Sequence, residues 1–150
     1  MRVGIGADHA GYELKTELVE FLTEQGHDVV DIGPSALDPT DDYPDFAKAL
    51  AQCVRDDGAE RGIMVCGSGV GASVAANKIR GIRASVCHDT YSAHQGVEHD
   101  DMNVLCLGAR IVGPEVAREL ATAFLSARYT GEERHQRRLD KVLDIEAEFR

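Results

Sequence analysis

The chain has no apolar run long enough to cross a membrane, no lipidation motif, no internal repeat and no low-complexity segment. Its first residues pass straight into Arg2-Val3-Gly4-Ile5-Gly6, a strand pattern and not a signal peptide, so a soluble, cytoplasmic protein is expected. Positive charge is scarce: 16 Lys and Arg residues stand against 26 Asp and Glu, a formal net charge of −10. Nucleic acids and anionic membranes are held mainly through Lys and Arg, so neither is expected as a partner. The four cysteines, Cys53, Cys66, Cys87 and Cys106, show no C-x-x-C spacing, and three lie in apolar, strand-like runs, so reduced thiols are expected. His88, His94 and His99, spaced by six and five residues, do not share one helical face, and no H-x-x-x-H or Cys/His ligand pair occurs. Neither a metal site nor a cofactor is expected.

With 150 residues, 43% hydrophobic and 28% charged, the chain is long enough for one domain with a complete core over residues 1–150. Short apolar runs at Val3 to Ala7, Asp28 to Ile32, Gly62 to Cys66, Arg83 to Cys87 and Val104 to Leu107 read as strands. Helical patterns fill the gaps: Tyr12 to Gln25, Asp45 to Asp57, Ala72 to Lys78, Tyr91 to Glu98 and Pro114 to Arg128. This alternation predicts an α/β fold with a doubly wound, parallel, five-stranded sheet. Two segments fall outside it. Gly33 to Tyr43, with two prolines and Asp38, Asp41 and Asp42, is a polar loop long enough to rim or cover a site. From Glu132 onward an added C-terminal helix carries Leu139, Val142, Leu143 and Phe149 as an apolar stripe that could pack on a partner subunit.

The most informative stretch is Cys66-Gly67-Ser68-Gly69-Val70-Gly71, a thiol at the end of a strand followed by a glycine-rich turn into a helix. Successive N–H groups in such a turn converge on an anion, and the helix N-terminus adds positive potential. The same field favours the thiolate of Cys66, which pairs a base or nucleophile with an oxyanion cradle. A strand-end Cys is also a common inert core residue. Gly67, Gly69 and Ala72 further satisfy the spacing of a dinucleotide fingerprint, with Asp89 beyond the next apolar run. That fingerprint usually occupies the first strand-to-helix turn, where this chain has Ala7-Asp8-His9-Ala10-Gly11, and a carboxylate there suits a polyphosphate badly. A phosphatase-type Cys loop needs an Arg six residues after the Cys, and position 72 is Ala.

Ligands of open parallel sheets bind outside the carboxyl ends of the strands. That rule gathers Asp8 and His9, the Cys66 to Gly71 turn, and His88 and Asp89; His99, Asp100 and Asn103 precede the fifth strand. Arg134-His135-Gln136-Arg137-Arg138 is the one dense basic cluster in an acidic chain and the best candidate for holding an anionic substrate, although a solvated helix face reads the same way. One reaction uses all of these groups: proton abstraction beside the carbonyl of a phosphorylated sugar, with an enediolate stabilised by the turn.

Taken in order, Gly6-Ala7-Asp8-His9-Ala10-Gly11, Asp42-Tyr43-Pro44, the Cys66 turn running on to Ala75-Ala76-Asn77-Lys78, Gly81-Ile82-Arg83-Ala84, Asn103-Val104-Leu105 and Arg134-His135-Gln136 resemble the ribose-5-phosphate isomerase B family. Its wider membership takes in the subunits of galactose-6-phosphate isomerase. The resemblance spans nearly the whole chain and implies a Rossmann-like fold, a homodimer or dimer of dimers with shared active sites, and metal-free aldose–ketose isomerisation of a small sugar phosphate. It further implies Cys66 as base, Ser68 as a proton carrier between sugar oxygens, and an anion hole at Gly67, Gly69, Val70 and Gly71. His99, with Asp8 and Tyr43 nearby, would assist ring opening, and His9, Arg110, Arg134 and Arg138 would meet the phosphate or its surroundings. In a second type of the family a Glu at the position of Ala72 is the base, so Ala72 places this chain with the Cys type. Asp100 stands where many members have Asn, whose amide can donate to substrate oxygens; a carboxylate donates only when protonated, so in place of that oxyanion role Asp100 would bind a sugar hydroxyl or orient His99. Ribose 5-phosphate is the expected substrate; allose 6-phosphate, galactose 6-phosphate or a tetrose phosphate, and a nucleotide-binding module, are the competing readings.

Overall fold

Five short strands, each followed by a helix that turns the chain back, build the molecule, which a computed structural model describes over residues 1–149. The strands are β1 (Arg2–Ala7), β2 (Asp28–Gly33), β3 (Arg61–Cys66), β4 (Ala84–Val86) and β5 (Val104–Gly108). They pair in the order β2-β1-β3-β5-β4, every pair parallel, with Ile5 opposite Ile63 and Ile63 opposite Leu105. The chain winds from β1 outward to β2, then recrosses to β3 on the other side of β1. The crevice between the carboxyl ends of β1 and β3 is therefore the topological switch point.

The helices are α1 (Tyr12–Glu24), α2 (Tyr43–Arg55), α3 (Val70–Ala76), α4 (Thr90–Asp100), α5 (Pro114–Ser126) and α6 (Glu133–Phe149). Leu14, Leu18 and Leu22 put the apolar stripe of α1 into one core, which it shares with Ile5, Ile63, Leu105, Leu107 and Phe124. Side chains alternate along each strand, so Met64, Cys66, Val104 and Cys106 point to the other face, under α2 and α3. That second face is floored with glycine. A Cβ at Gly4 would stand 2.8 Å from Leu50 Cδ1, and one at Gly62 would stand 3.2 Å from Leu50 Cγ. Absent side chains on β1 and β3 thus let α2 lie directly on the sheet.

Several boundaries differ from the sequence pattern for physical reasons. Helix α2 starts at Tyr43, two residues before the expected Asp45, because Pro44 fits the first turn. Strand β4 covers three residues in place of five. Its leading backbone groups are taken by side chains: Asn77 bonds both Ala84 N and Ala84 O, at 2.9 and 2.7 Å, and Asn103 Oδ1 accepts from Arg83 N at 2.8 Å. Helix α6 is attached at both ends, by Thr130 N to Glu98 O at 3.0 Å and by the Glu146 carboxylate accepting from Gly81 N. Of its apolar stripe only Leu139 is buried; Val142, Leu143, Ile145 and Phe149 stay exposed along a groove of about 750 Å³ against β4 and α4. Among the described residues no helix is long and apolar enough to cross a membrane.

Phe124 is fully buried and Val116, on the same helix, is exposed. Phe124→Ala is expected to cost about 3–5 kcal/mol in chemical denaturation. Val116→Ala should stay within about 0.5 kcal/mol.

Candidate active site

The carboxyl ends of β1, β3 and β5 are tied together by backbone bonds: Asp8 N donates to Val65 O at 3.2 Å, and Ala109 N and Arg110 N donate to Cys66 O and Gly67 O at 2.8 and 3.1 Å. Asp8 is buried, and its Oδ1 caps the short turn after β1 by accepting from Gly11 N at 3.1 Å. Cys66 is 4% exposed, and Gly69 N–H donates to its Sγ at 3.1 Å, a donor suited to a thiolate. Only a glycine takes this turn without strain, because Gly69 has φ +82° and its missing Cβ would press on the backbone of Leu107 at 3.2 Å. Val70 N–H donates to Ser68 Oγ at 3.3 Å. The turn is therefore not a set of free N–H groups aimed at one point, as the sequence pattern predicts; one closes on the sulfur and one on the Ser68 hydroxyl. Tyr43 lies over the start of α3, where a Cβ on Gly71 would come within 2.7 Å of its ring. Arg110 reaches the other side of the turn, with Nε 3.7 Å from the place a Gly67 Cβ would take.

The remaining thiols are separated from this one by their surroundings. Complete burial pushes the Cys106 thiol far up, with Cys66 and Cys87 adding in the same direction, and burial also raises Cys87. Neither has the character of a nucleophile.

His99, Asp100, Arg134 and Arg138 lie elsewhere. Helix α4 starts beside the carboxyl end of β4 and carries the chain back to Asn103, whose amide bonds Arg83 N and Gly81 O and whose carbonyl accepts from Gly62 N. Those partners are the beginnings of β3 and β4, so His99 sits at the amino edge of the sheet. Cys66 lies at the opposite edge, across the six residues of β3, about 17 Å of strand. There the His99 ring accepts or donates through Nδ1 to Gln95 at 2.7 Å and stacks on His135, with ring centroids 3.9 Å apart. His135 is buried; its Nε2 accepts from Arg134 Nε at 3.1 Å, and because arginine only donates, the ring proton is on Nδ1, toward Thr130 Oγ1 at 2.9 Å. Burial pushes this imidazole below the ordinary histidine range, and His99 and Arg134 push it further. Arg134 and Arg138, one turn apart, are exposed.

The sequence profile described as ribose/galactose isomerase matches residues 3–142. The chain belongs to the ribose/galactose isomerase family, and it is a sugar phosphate isomerase. It is 44% identical to ribose-5-phosphate isomerase B of Escherichia coli over 97% of this chain and 96% of that one. It is 42% identical to D-erythrulose-4-phosphate isomerase of Pectobacterium atrosepticum over 87% of this chain and 86% of the relative. The crystal structure of ribose-5-phosphate isomerase B from Mycoplasma genitalium with bound ribulose-5-phosphate superposes with a TM-score of 0.93 at 40% identity, covering 98% and 97% of the two chains.

For this member of the ribose/galactose isomerase family the described chain splits the sequence-derived residues in two. Asp8, His9, Tyr43, Cys66, Gly67, Ser68, Gly69, Val70, Gly71 and Arg110 gather at the carboxyl edge, whereas His99, Asp100, Arg134 and Arg138 gather at the amino edge. Two further residues escaped the sequence reading. Asp41, from the loop before α2, grips His9 through Nδ1 at 2.7 Å and N at 2.9 Å. His135 links Arg134 to His99, and its place next to Arg134 within a recognised basic cluster was the only signal. Asp89, the acid of the dinucleotide reading, instead caps α4 by accepting from Ser92 N at 2.7 Å. Gly71→Ala is expected to displace Tyr43 and lower kcat/KM for sugar phosphate isomerisation about a hundredfold, with the melting temperature near wild type. Unchanged kcat/KM would remove Tyr43 from the site.

Proposed function

We propose that the protein interconverts ribose 5-phosphate and ribulose 5-phosphate in the cytoplasm, through an enediolate and with no cofactor. Cys66, as thiolate, takes the proton from C2 of the open-chain aldose, and the electron pair moves to the carbonyl to give the enediolate. Delivery of a proton to C1 from the Cys66 thiol, which exchanges with solvent, yields the ketose, while Ser68 carries the proton between O1 and O2. With Gly69 N–H kept on the sulfur, the other N–H groups of the Gly67 to Gly71 turn hold the oxyanion, and Val70 N–H becomes available as the Ser68 hydroxyl turns to substrate. His9 and Arg110 meet the phosphate end.

The observation that carries this reading is the Gly69 N–H aimed at a buried Cys66 sulfur at the switch-point edge. Ring opening needs a second acid–base group, and His99 of the same chain is too far away by the length of a strand. We therefore place His99, with Asp100, Arg134 and Arg138, in the site of a second copy of the chain, so that a homodimer holds two sites, each drawn from both chains. The exposed apolar face of α6 supports that association. A tetrose phosphate is the second reading, favoured by the 42% identity to the erythrulose-4-phosphate isomerase.

A panel of ribose 5-phosphate, allose 6-phosphate, galactose 6-phosphate and erythrose 4-phosphate, read by ketose formation, tests the substrate. The highest kcat/KM is expected for ribose 5-phosphate, and a higher value for a tetrose phosphate would transfer the assignment. Cys66→Ala is expected to lower kcat by at least about 10²–10⁴-fold while the affinity for substrate changes by less than about tenfold. Isomerisation in D2O should place deuterium on the product carbon. Wild-type turnover without Cys66 would make it a core residue after all.

A further inference from the structure

The loop before α2 sends one side chain down into the carboxyl-edge site. Asp41 is buried to 9% side-chain exposure, and a single oxygen, Oδ1, accepts from both His9 N at 2.9 Å and His9 Nδ1 at 2.7 Å. Its other oxygen, Oδ2, is buried and meets no donor among the described residues. A carboxylate this enclosed is costly without a counter-charge, and the His9 imidazolium is the cation it touches. A carboxylate only accepts, so His9 must carry a proton on Nδ1. With Nδ1 protonated, a neutral ring offers a bare lone pair at Nε2, which repels an anion. Only the doubly protonated ring offers a donor there.

We propose that Asp41 is a positioning residue of the isomerase: it fixes the His9 ring through Nδ1 and the backbone so that Nε2 presents a proton to the phosphate of the sugar. The proposal rests on the reading of His9 as a phosphate-end residue. The charges around His9 agree with it. The hydrogen bond that His9 donates to Asp41 raises the imidazole above its ordinary range, against the effect of burial, and Asp8 at the end of β1 adds to the rise. On the loop itself Asp38 interacts with His9 in the same sense. Of the cations near this edge, Arg110 lies beside Gly67, and Lys15 is held by Asp31 and the carbonyl of Pro34. Asp41, Asp8 and Asp38 thus all favour the charged ring of His9. A charged His9 adds to the positive charge that the arginines bring to the phosphate end.

The contribution of the His9–Asp41 pair to folding is complete below the unfolded histidine value of about 6.5 and is lost as pH rises through the higher folded one. Binding of phosphate through Nε2–H is lost over the same interval.

The test is Asp41→Asn, in which the amide Oδ1 can still accept both His9 bonds and only the charge is removed. The His9 imidazole is titrated by NMR in the unliganded protein, and KM for ribose 5-phosphate is measured in both proteins between pH 5.5 and 9; taking the ratio at each pH cancels the titration of the substrate itself. Wild-type His9 is expected to titrate above about 6.5 and the variant at a lower pH. The KM ratio of variant to wild type should approach one at both ends of the range and rise to about tenfold between the two midpoints, a peak that a merely structural defect would not produce. A wild-type midpoint at or below 6.5, or a midpoint that the substitution leaves in place, overturns the coupling of Asp41 to His9. A midpoint that moves while the KM ratio stays flat overturns the phosphate role of His9, and the proposal with it, leaving the coupling intact. Catalysis of the ring-opened sugar, read as kcat, should change by less than about threefold, since the contact acts on binding.

Discussion

All five strands run in one direction, and that polarity is the constraint on which the rest of the protein depends. It sends the exits of β1, β3 and β5 to one edge, where backbone bonds from Asp8 N to Val65 O and from Ala109 N to Cys66 O join them into a single floor. It also obliges every intervening helix to carry the chain back. The residues at the end of α4 consequently arrive at the opposite edge, beside the starts of β3 and β4, and the first turn of α6 joins them there through the His99–His135 stack. The parallel sheet thus keeps Cys66 and His99 of one chain about a strand length apart. In the function proposed above, it is the association of two chains that would bring such groups together.

The two edges treat their histidines in opposite ways. At the carboxyl edge Asp41 and Asp8 favour the charged form of His9, while at the amino edge burial, His99 and Arg134 favour the neutral form of His135. One ring is suited to holding an anion. The other, with its proton fixed on Nδ1 and its Nε2 bonded to Arg134, is suited to orienting a guanidinium and supporting the face of a second ring. Similar sorting separates the thiols: Cys106 and Cys87 are driven toward the neutral form by burial, whereas Cys66 receives a backbone donor at its sulfur.

Much of this was legible in the sequence because it is local. The strand–Cys–glycine turn is written in six consecutive residues, and the alternation of apolar strands with helical stripes fixes an α/β sheet without any knowledge of long-range contacts. The resemblance then supplied the assignment to the ribose/galactose isomerase family. What the sequence withheld depends on distance along the chain or on competition for backbone groups. Asp41 and His9 are thirty-two residues apart, and nothing in a polar loop marks which of its three aspartates will turn inward. The shortness of β4 follows from Asn77 and Asn103 taking backbone groups of Arg83 and Ala84, which a propensity pattern does not register. The rule that places ligands at carboxyl ends also says nothing of a residue such as His99, which ends a returning helix.

The central claim is that each active site needs the carboxyl edge of one chain and the amino edge of another. Its most direct test mixes two inactive proteins, Cys66→Ala and His99→Asn, unfolds them together and lets them reassemble, with wild type treated in parallel. Random pairing gives mixed dimers in which one site carries both lesions and the other carries neither, so the account predicts recovery of up to about a quarter of the wild-type site count. Mixed dimers verified by mass that remain inactive, while refolded wild type recovers, would show that Cys66 and His99 act within one chain and would contradict the shared site.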